Sequence, residues 1–334
     1  MSNPKVSVCV DVHNYADYLP VALQSILDQS LTDFELIVID DASTDRSPQL
    51  AAELGARVLA LPENRGFAHA VNFGVLQSAT EWIAIVNSDV TLARDWLAQL
   101  LDAASFNHAG YACGPITRRD QPDILDGSYD LLSRGACPWR AGSGFPLAAL
   151  RPPEGFWLPS FTALLIRRDL FLEAGSLDET FGSYLEDVDF GLRISKLEQR
   201  GLFVPTALAS HVGSATFGVW SYRATRLSSR NQLLLVARHY PNGWFRRFGR
   251  AVVAGQLLWG LLALRNGVFR AWLLGKLDAL RIWNVVRDGF THMDPARLDL
   301  NLANCELGIL KWQGNPARSP YWRWYFRLAG RGKS

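Results

Sequence analysis

Residues 34–45 read FELIVIDDASTD, a largely apolar run that ends in paired aspartates and a polar turn. The run is short, rich in β-branched residues (Ile37, Val38, Ile39) and bounded by turn formers, so it reads as a buried strand over Phe34–Asp40. Working outward, VSVCVDV at Val6–Val12, residues 57–61 and WIAIV at Trp82–Val86 have the same character. Between them, residues 17–29 place Leu19, Leu23, Ile26 and Leu27 at helical spacing, and 45–54 and 67–79 also read as helices. Strands that are apolar throughout and alternate with helices predict an α/β fold, with a mostly parallel, Rossmann-like sheet covered on both faces. In such sheets ligands bind beyond the carboxyl ends of the strands. That rule selects His13 and Asn14, Asp40 and Asp41, and Asn87, Ser88 and Asp89.

Farther along, residues 110–155 read as loops and short strands, 158–168 as a strand, 186–199 as a helix, and 203–205 as a short strand leading to His211. The 334 residues fit one large or two modest domains, and 49% apolar content excludes a disordered chain. Net charge is only +2, but it divides sharply. Residues 1–220 hold 15 Lys/Arg against 27 Asp/Glu, a net of −12, whereas 221–334 hold 19 against 5, a net of +14, with 7 of the 12 Trp. The expected organisation is therefore an acidic domain over 1–220 and a basic, Trp-rich helical region over 221–334, whose charge points to an anionic partner. Four scattered cysteines without a CxxC pair and an opening without an apolar leader suggest a reducing cytoplasm. The longest apolar run, 251–264, has 14 residues, short of the ~20 that a membrane span needs.

Each candidate residue carries two readings. Asp40 and Asp41 either end a strand whose following Ser43 or Asp45 caps a helix, or accept a hydrogen bond from a nucleotide base or ribose. Asn87-Ser88-Asp89 is either a loop before a helix starting near Ala93, or the place where Asp89 meets a diphosphate through Mg2+ or Mn2+, hard cations that prefer oxygen. Glu186, Asp187 and Asp189 suit a helix's first turn, with Asp189 pairing Arg193 at i,i+4; alternatively one carboxylate is a general base. His211 is structural or a metal ligand.

The order of these motifs resembles the family-2 inverting glycosyltransferases of the GT-A fold, and within them the rhamnosyltransferase-like branch. NRGFAHAVNFG at residues 64–74 is similar to the group's N-x-G-F-A-x-A-x-N-x-G signature, and VSVCVDVHN, ELIVIDDASTD, NSDVTLARDWL, ALLIRRDLF and LDETFGSYLEDVDFGLR accompany it in the family's order. The resemblance covers residues 5 to about 240. It implies that Asp41 recognises the base, that Asp89 and His211 ligate a divalent metal, that Asp187 is the catalytic base with Glu186 orienting the acceptor, and that Arg65 and Gly66 lie near the donor. His13, Asn14, Asn87 and Ser88 join the donor site. Four departures stand out. Asn87 holds the first position of the D-x-D-type motif, common in this branch but a weaker ligand than Asp. Asp11 adds a carboxylate that can alter base or ribose recognition. Phe161-Thr162 replaces a small-residue stretch beside the sugar or acceptor pocket, and Gly182 replaces an aromatic.

The implied reaction moves a sugar, L-rhamnose from dTDP-rhamnose as first choice, onto a glycan hydroxyl, with a polyprenyl-diphosphate-linked acceptor in bacterial surface polysaccharide synthesis. A UDP- or GDP-sugar transferase and a catalytically inactive nucleotide-sugar-binding subunit are the alternatives. For residues 251–287 two readings stand: an interfacial helix on an anionic membrane surface at the inner face of the cell membrane, or an amphipathic helical pair that packs on the catalytic domain or forms a homo-oligomer. No nucleic-acid-binding motif is present.

Overall fold

The structure, a computed structural model, describes residues 4–213, 220–289 and 293–330; residues 1–3, the start of the stretch read above for a leader, lie outside them. The chain divides into two compact units, Met1–Tyr129 with Gly142–Ala215, and Asp130–Ala141 with Thr216–Ser334.

In chain order the first unit runs β1 (Val6–Val12), α1 (Leu19–Leu27), β2 (Phe34–Asp40), α2 (Ser47–Glu53), β3 (Arg57–Ala60), α3 (Phe67–Gln77), β4 (Trp82–Val86), β5 (Val90–Leu92), α4 (Trp96–Phe106), β6 (Tyr111–Cys113), β7 (Ile116–Arg118) and β8 (Leu125–Gly127). A hairpin of β9 (Asp130–Leu132) and β10 (Pro138–Arg140) belongs to the second unit. The first then resumes with β11 (Ala163–Arg167), α5 (Arg168–Glu173), α6 (Glu186–Ile194), β12 (Leu202–Phe203) and β13 (Ala209–His211).

Seven strands form the main sheet in the order β12-β6-β11-β4-β1-β2-β3. It is mostly parallel, as expected, with one reversal: β11 runs antiparallel to both β4 and β6. Because β1, β2 and β4 are parallel neighbours, their carboxyl ends share one edge. The core under this edge joins Val6, Val8, Val10 and Val12 to Leu19, Leu23 and Ile26 of α1 and to Trp96 and Leu100 of α4. A second sheet, β5-β13-β7-β8, lies downstream of β4. The helix expected near Ala93 begins at Trp96, because residues 90–92 are drawn into that sheet as β5. The strand expected over 158–168 shortens to β11, and α5 starts at Arg168.

The signature stretch 64–74 is largely architectural. Ala68, Ala70 and Val71 of α3 are buried, and a Cβ on Gly74 would lie 2.6 Å from Ile39 Cδ1, so only glycine lets α3 settle this closely on β2. Asn72 ties α3 to the loop before α6, donating to the Leu177 carbonyl (2.8 Å) and accepting from the Leu177 amide (2.9 Å).

The second unit adds α7 (Tyr222–His239), α8 (Trp244–Arg265), α9 (Phe269–Asp288), α10 (Pro295–Gln313) and α11 (Pro320–Ala329). Ser221 caps α7 by accepting from the Ala224 amide, and Asp294 caps α10. The tip of the β9–β10 hairpin is held by polar contacts. Glu306 of α10 accepts from the Arg134 amide and guanidinium (both 2.9 Å) and from the Tyr325 hydroxyl of α11 (2.6 Å), which itself accepts from the Gly135 amide. Gln256 of α8 donates to the Gly135 carbonyl (2.8 Å).

Between α7, α8 and α9 lies the buried Lys276, whose ammonium donates to the Ser229 carbonyl (2.7 Å), to Gln232 (3.2 Å) and to Gln256. Burial pushes its pKa down from 10.5 to about 7. An unfolded chain then binds more protons than the folded one between those values, so this group makes the fold more stable as pH rises through that window. Denaturant melts of the parent and of Lys276→Met at pH 7 and pH 9 (values inside that interval,) should show the stability difference moving in the parent's favour at the higher pH. A difference independent of pH would show that Lys276 stays charged throughout.

Candidate active site

Strand register assembles the most tightly coupled group of side chains. β13 pairs antiparallel with β5, placing His211 opposite Val90, and parallel with β7, which in turn pairs with β8. Asp89, one residue before β5, and Asp126, within β8, therefore flank the His211 ring. Nε2 lies 3.2 Å from Asp89 Oδ1 and Nδ1 lies 2.8 Å from Asp126 Oδ2. Asp89 and His211 are buried. Burial alone would lower the His211 pKa, but the hydrogen bonds to Asp126 and Asp89 prevail and raise it to about 9. Asp126 was invisible to sequence reading: it sits in the irregular 110–155 region, and no motif marks it.

Asp41 follows β2, and its carboxylate accepts the amides of Arg65 and Gly66, each at 2.8 Å. It thus clamps the loop that starts α3. Gly66 has φ +88°, and a Cβ there would come 3.2 Å from the Gly182 carbonyl, which accepts from the Ala68 amide. Gly182 itself has φ +69°, a conformation in which an aromatic would be strained, which accounts for glycine at this position. The Arg65 guanidinium reaches Glu179 (3.1 Å), and His69 lies 3.0 Å from the same carboxylate.

His13 Nδ1 meets the Asp41 carbonyl (2.8 Å), and Asn14, at φ 60°, accepts through Oδ1 from the amides of Thr44 (2.7 Å) and Asp45 (3.2 Å). Both residues thus fasten the β1 loop to the β2 loop. Burial raises the Asp11 carboxyl to about 7, and the nearby charges of Asp41 and Asp89 push the same way. Ser88 is buried; Asn87 donates its amide to the Thr162 carbonyl (3.0 Å), while its buried side-chain Oδ1 has no hydrogen-bond partner among the described residues.

Glu186 and Asp187 are buried in the first turn of α6, and Asp187 Oδ1 accepts the Val188 amide (2.8 Å). Tyr184 and Leu185, just before them, both hold left-handed backbone (φ 70° and 69°). Two such residues in succession cost of order 1–3 kcal/mol each and are typical of functional loops. Asp189 is fully buried and paired with Arg193 at 2.9 Å, as its spacing suggested. Phe161 is a core residue beneath α6, edge-on to Phe190 (5.2 Å between centroids).

Asp89 and His211 supply an oxygen and a nitrogen that could hold a divalent cation. Asp126 would then hold the far nitrogen of the imidazole, the arrangement that orients a ligating histidine. Among the described residues no group of three or more His, Cys, Asp or Glu could hold a metal ion, so a cation here would need oxygens from a ligand such as a diphosphate.

Comparison with known proteins places the chain in a family. The family described as Glycosyl transferase family 2 matches residues 7–175, just over half of the chain. An N-acetylglucosaminyl-diphospho-decaprenol L-rhamnosyltransferase of Mycobacterium tuberculosis is 29% identical over 253 residues, covering 66% of this chain and 80% of the relative. Among solved structures, GalNAc-T7 with UDP, GalNAc and Mn2+ superposes with a TM-score of 0.59 at 14% identity, over 84% of this chain and 57% of that one. The chain thus spans little more than half the length of that structure. The mannosyltransferase PcManGT of Pyrobaculum calidifontis, in complex with GDP-Man and Mn2+, gives 0.53 at 16% identity over 98% and 86%. At these identities the two structures establish the GT-A-like fold.

Asp126→Asn should weaken Mn2+-dependent binding of a nucleoside diphosphate by ~10–100-fold, the usual cost of losing such an orienting group. Calorimetry checks it, with circular dichroism confirming the fold. Unchanged affinity would reduce Asp126 to a packing residue.

Proposed function

We propose a donor, an acceptor and a mechanism from one premise: this chain belongs to glycosyl transferase family 2 and is a glycosyltransferase. The donor is a nucleoside-diphosphate sugar, with dTDP-L-rhamnose first in order, and the acceptor is a hydroxyl of a polyprenyl-diphosphate-linked glycan in bacterial surface polysaccharide synthesis. Support for both comes from the mycobacterial relative, whose name specifies an L-rhamnosyl group and a diphospho-decaprenol acceptor. The observation that carries the reading is the Asp89–His211–Asp126 constellation at 3.2 and 2.8 Å, beyond the strand edge that also bears Asp11 and Asp41.

In this mechanism the acceptor oxygen attacks the anomeric carbon from the face opposite the diphosphate. The new C–O bond forms as the bond to the diphosphate oxygen breaks, so the anomeric configuration inverts. Asp187 takes the hydroxyl proton, and Glu186 orients the acceptor. Its hydrogen bond from the Val188 amide holds the Asp187 carboxylate in place for that transfer. Asp89 and His211 would hold Mg2+ or Mn2+, which would supply Lewis-acid stabilisation of the departing diphosphate. Asp11, raised to about 7, can present either an acceptor or an O–H donor to the base or ribose. His13, Asn14 and Asp41 shape that end of the site, together with Arg65, Gly66, Asn87 and Ser88.

A thermal-shift screen of dTDP, UDP and GDP with Mn2+ identifies the donor. The cognate nucleotide at about 100 times its Kd should stabilise the protein by ~2.7 kcal/mol. A larger shift with UDP or GDP than with dTDP would replace dTDP-rhamnose as donor, and no shift with any of the three would remove the nucleotide site. Asp187→Asn should keep nucleotide binding while sugar transfer falls by ~10²–10⁴-fold, the range for loss of a general base. Near-parental transfer of radiolabelled sugar would take Asp187 out of the mechanism.

A further inference from the structure

α8 and α9 distribute their apolar side chains the opposite way from helices of a water-soluble core. α8 turns Ala251, Ala254, Gly255, Gly260 and Ala263 inward, and α9 turns Ala271, Gly275 and Ala279 inward. Phe248 and Val252 are also buried, but a row of leucines faces out: Leu257, Leu261 and Leu264 are 56%, 60% and 59% exposed, in line with the exposed Val253. On α9, Leu273, Leu277 and Leu280 are exposed in the same way. Each helix thus carries a stripe with successive spacings of four and three residues, which is one continuous helical face.

The inward small residues permit backbone-close packing. A Cβ on Gly275 would sit 2.3 Å from the Arg226 carbonyl of α7, and one on Gly260 would sit 2.9 Å from the Trp272 ring. Small residues between helices with leucines outside is the arrangement favoured where the surroundings are as apolar as leucine. Among the described residues no helix is long and apolar enough to cross a membrane, so such surroundings can be met only from one side.

Charge selects the occupant. Arg246 near the start of α8 is exposed, as are Arg265 and Arg270 flanking the α8–α9 turn; Arg247 and Arg250 are exposed too, but Arg247 is paired with Asp299 and Arg250 donates to the Leu328 carbonyl. Residues 221–334 as a whole hold 19 Lys/Arg against 5 Asp/Glu. A second copy would bring the same positive charge to the contact, whereas anionic headgroups complement it. Leu280 also borders an open, mostly apolar cleft of ≈ 340 Å³ lined by Leu233, Trp244, Trp283 and Asn284. The cleft can take part of an acyl chain.

We propose that α8 and α9 form a monotopic membrane element, in which the two leucine stripes enter the acyl boundary of an anionic bilayer and the arginines meet its phosphates. This rests on the lipid-linked acceptor reading only in explaining why a transferase would sit at a bilayer. The stripes and the charge stand on their own.

The experiment is co-sedimentation of the full chain with vesicles of phosphatidylcholine plus phosphatidylglycerol, against vesicles of phosphatidylcholine alone, at low and high salt. Binding to the anionic vesicles, weakened by salt and reduced at least about tenfold by Leu261→Asn with Leu277→Asn, is the expected result. Arg265→Gln with Arg270→Gln should weaken anionic binding in the same assay. No binding at low salt would overturn the proposal, and so would binding indifferent to the leucine substitutions, which would be surface adsorption. Self-association in sedimentation velocity, abolished by the leucine pair and unaccompanied by vesicle binding, would assign the face to a second copy and also overturn it. Nucleotide binding without lipid, measured on the same preparations, separates the two readings. Its loss counts against the transferase site, and its retention beside failed vesicle binding counts against the membrane element alone.

Discussion

A carboxylate taken out of water must be compensated, and the candidate site is organised around that constraint. Asp11, Asp41 and Asp89 end or follow three neighbouring parallel strands, so their charges crowd one edge. Asp41 is satisfied by two backbone amides, and through them the start of α3 is fixed. Asp89 shares the His211 ring with Asp126. Burial, with the charges of Asp41 and Asp89 acting the same way, raises the Asp11 carboxyl to about 7.

The two units solve different packing problems. In the first, large aliphatic and aromatic side chains fill the space beneath a sheet, and the polar residues left at the strand ends do the chemistry. In the second, the β9–β10 hairpin and α10–α11 are fastened through Glu306, Arg134 and Tyr325, while α7–α9 approach one another through glycine and alanine around Lys276. A buried ammonium with three acceptors is a costly way to join helices, and it fixes one arrangement of three of them.

Most of the first unit was legible because buried parallel strands leave a strong pattern: FELIVID, VSVCVDV and WIAIV fall on β2, β1 and β4 with their bounds as read. Short strands were not legible. Three residues carry too little periodicity to announce β5, β7, β8 or β13, and these form the second sheet. The signature at 64–74 was conspicuous in sequence, yet much of its content is structural: Gly74 meets Ile39, Asn72 holds Leu177 and Gly66 passes Gly182. Composition flagged residues 221–334 as basic and Trp-rich, but it could not say which faces of the helices point outward.

The α/β architecture and the family could be read from the chain, because each depends on local pattern or contiguous motif. It takes the folded arrangement to put Asp126 behind His211, to engage Asn14 and Asp41 in loop fastening, and to turn the leucines of α8 and α9 outward. These depend on register and packing between segments far apart in the chain. Asp89, Asp126 and His211 span more than a hundred residues and meet only because β13 pairs with both β5 and β7.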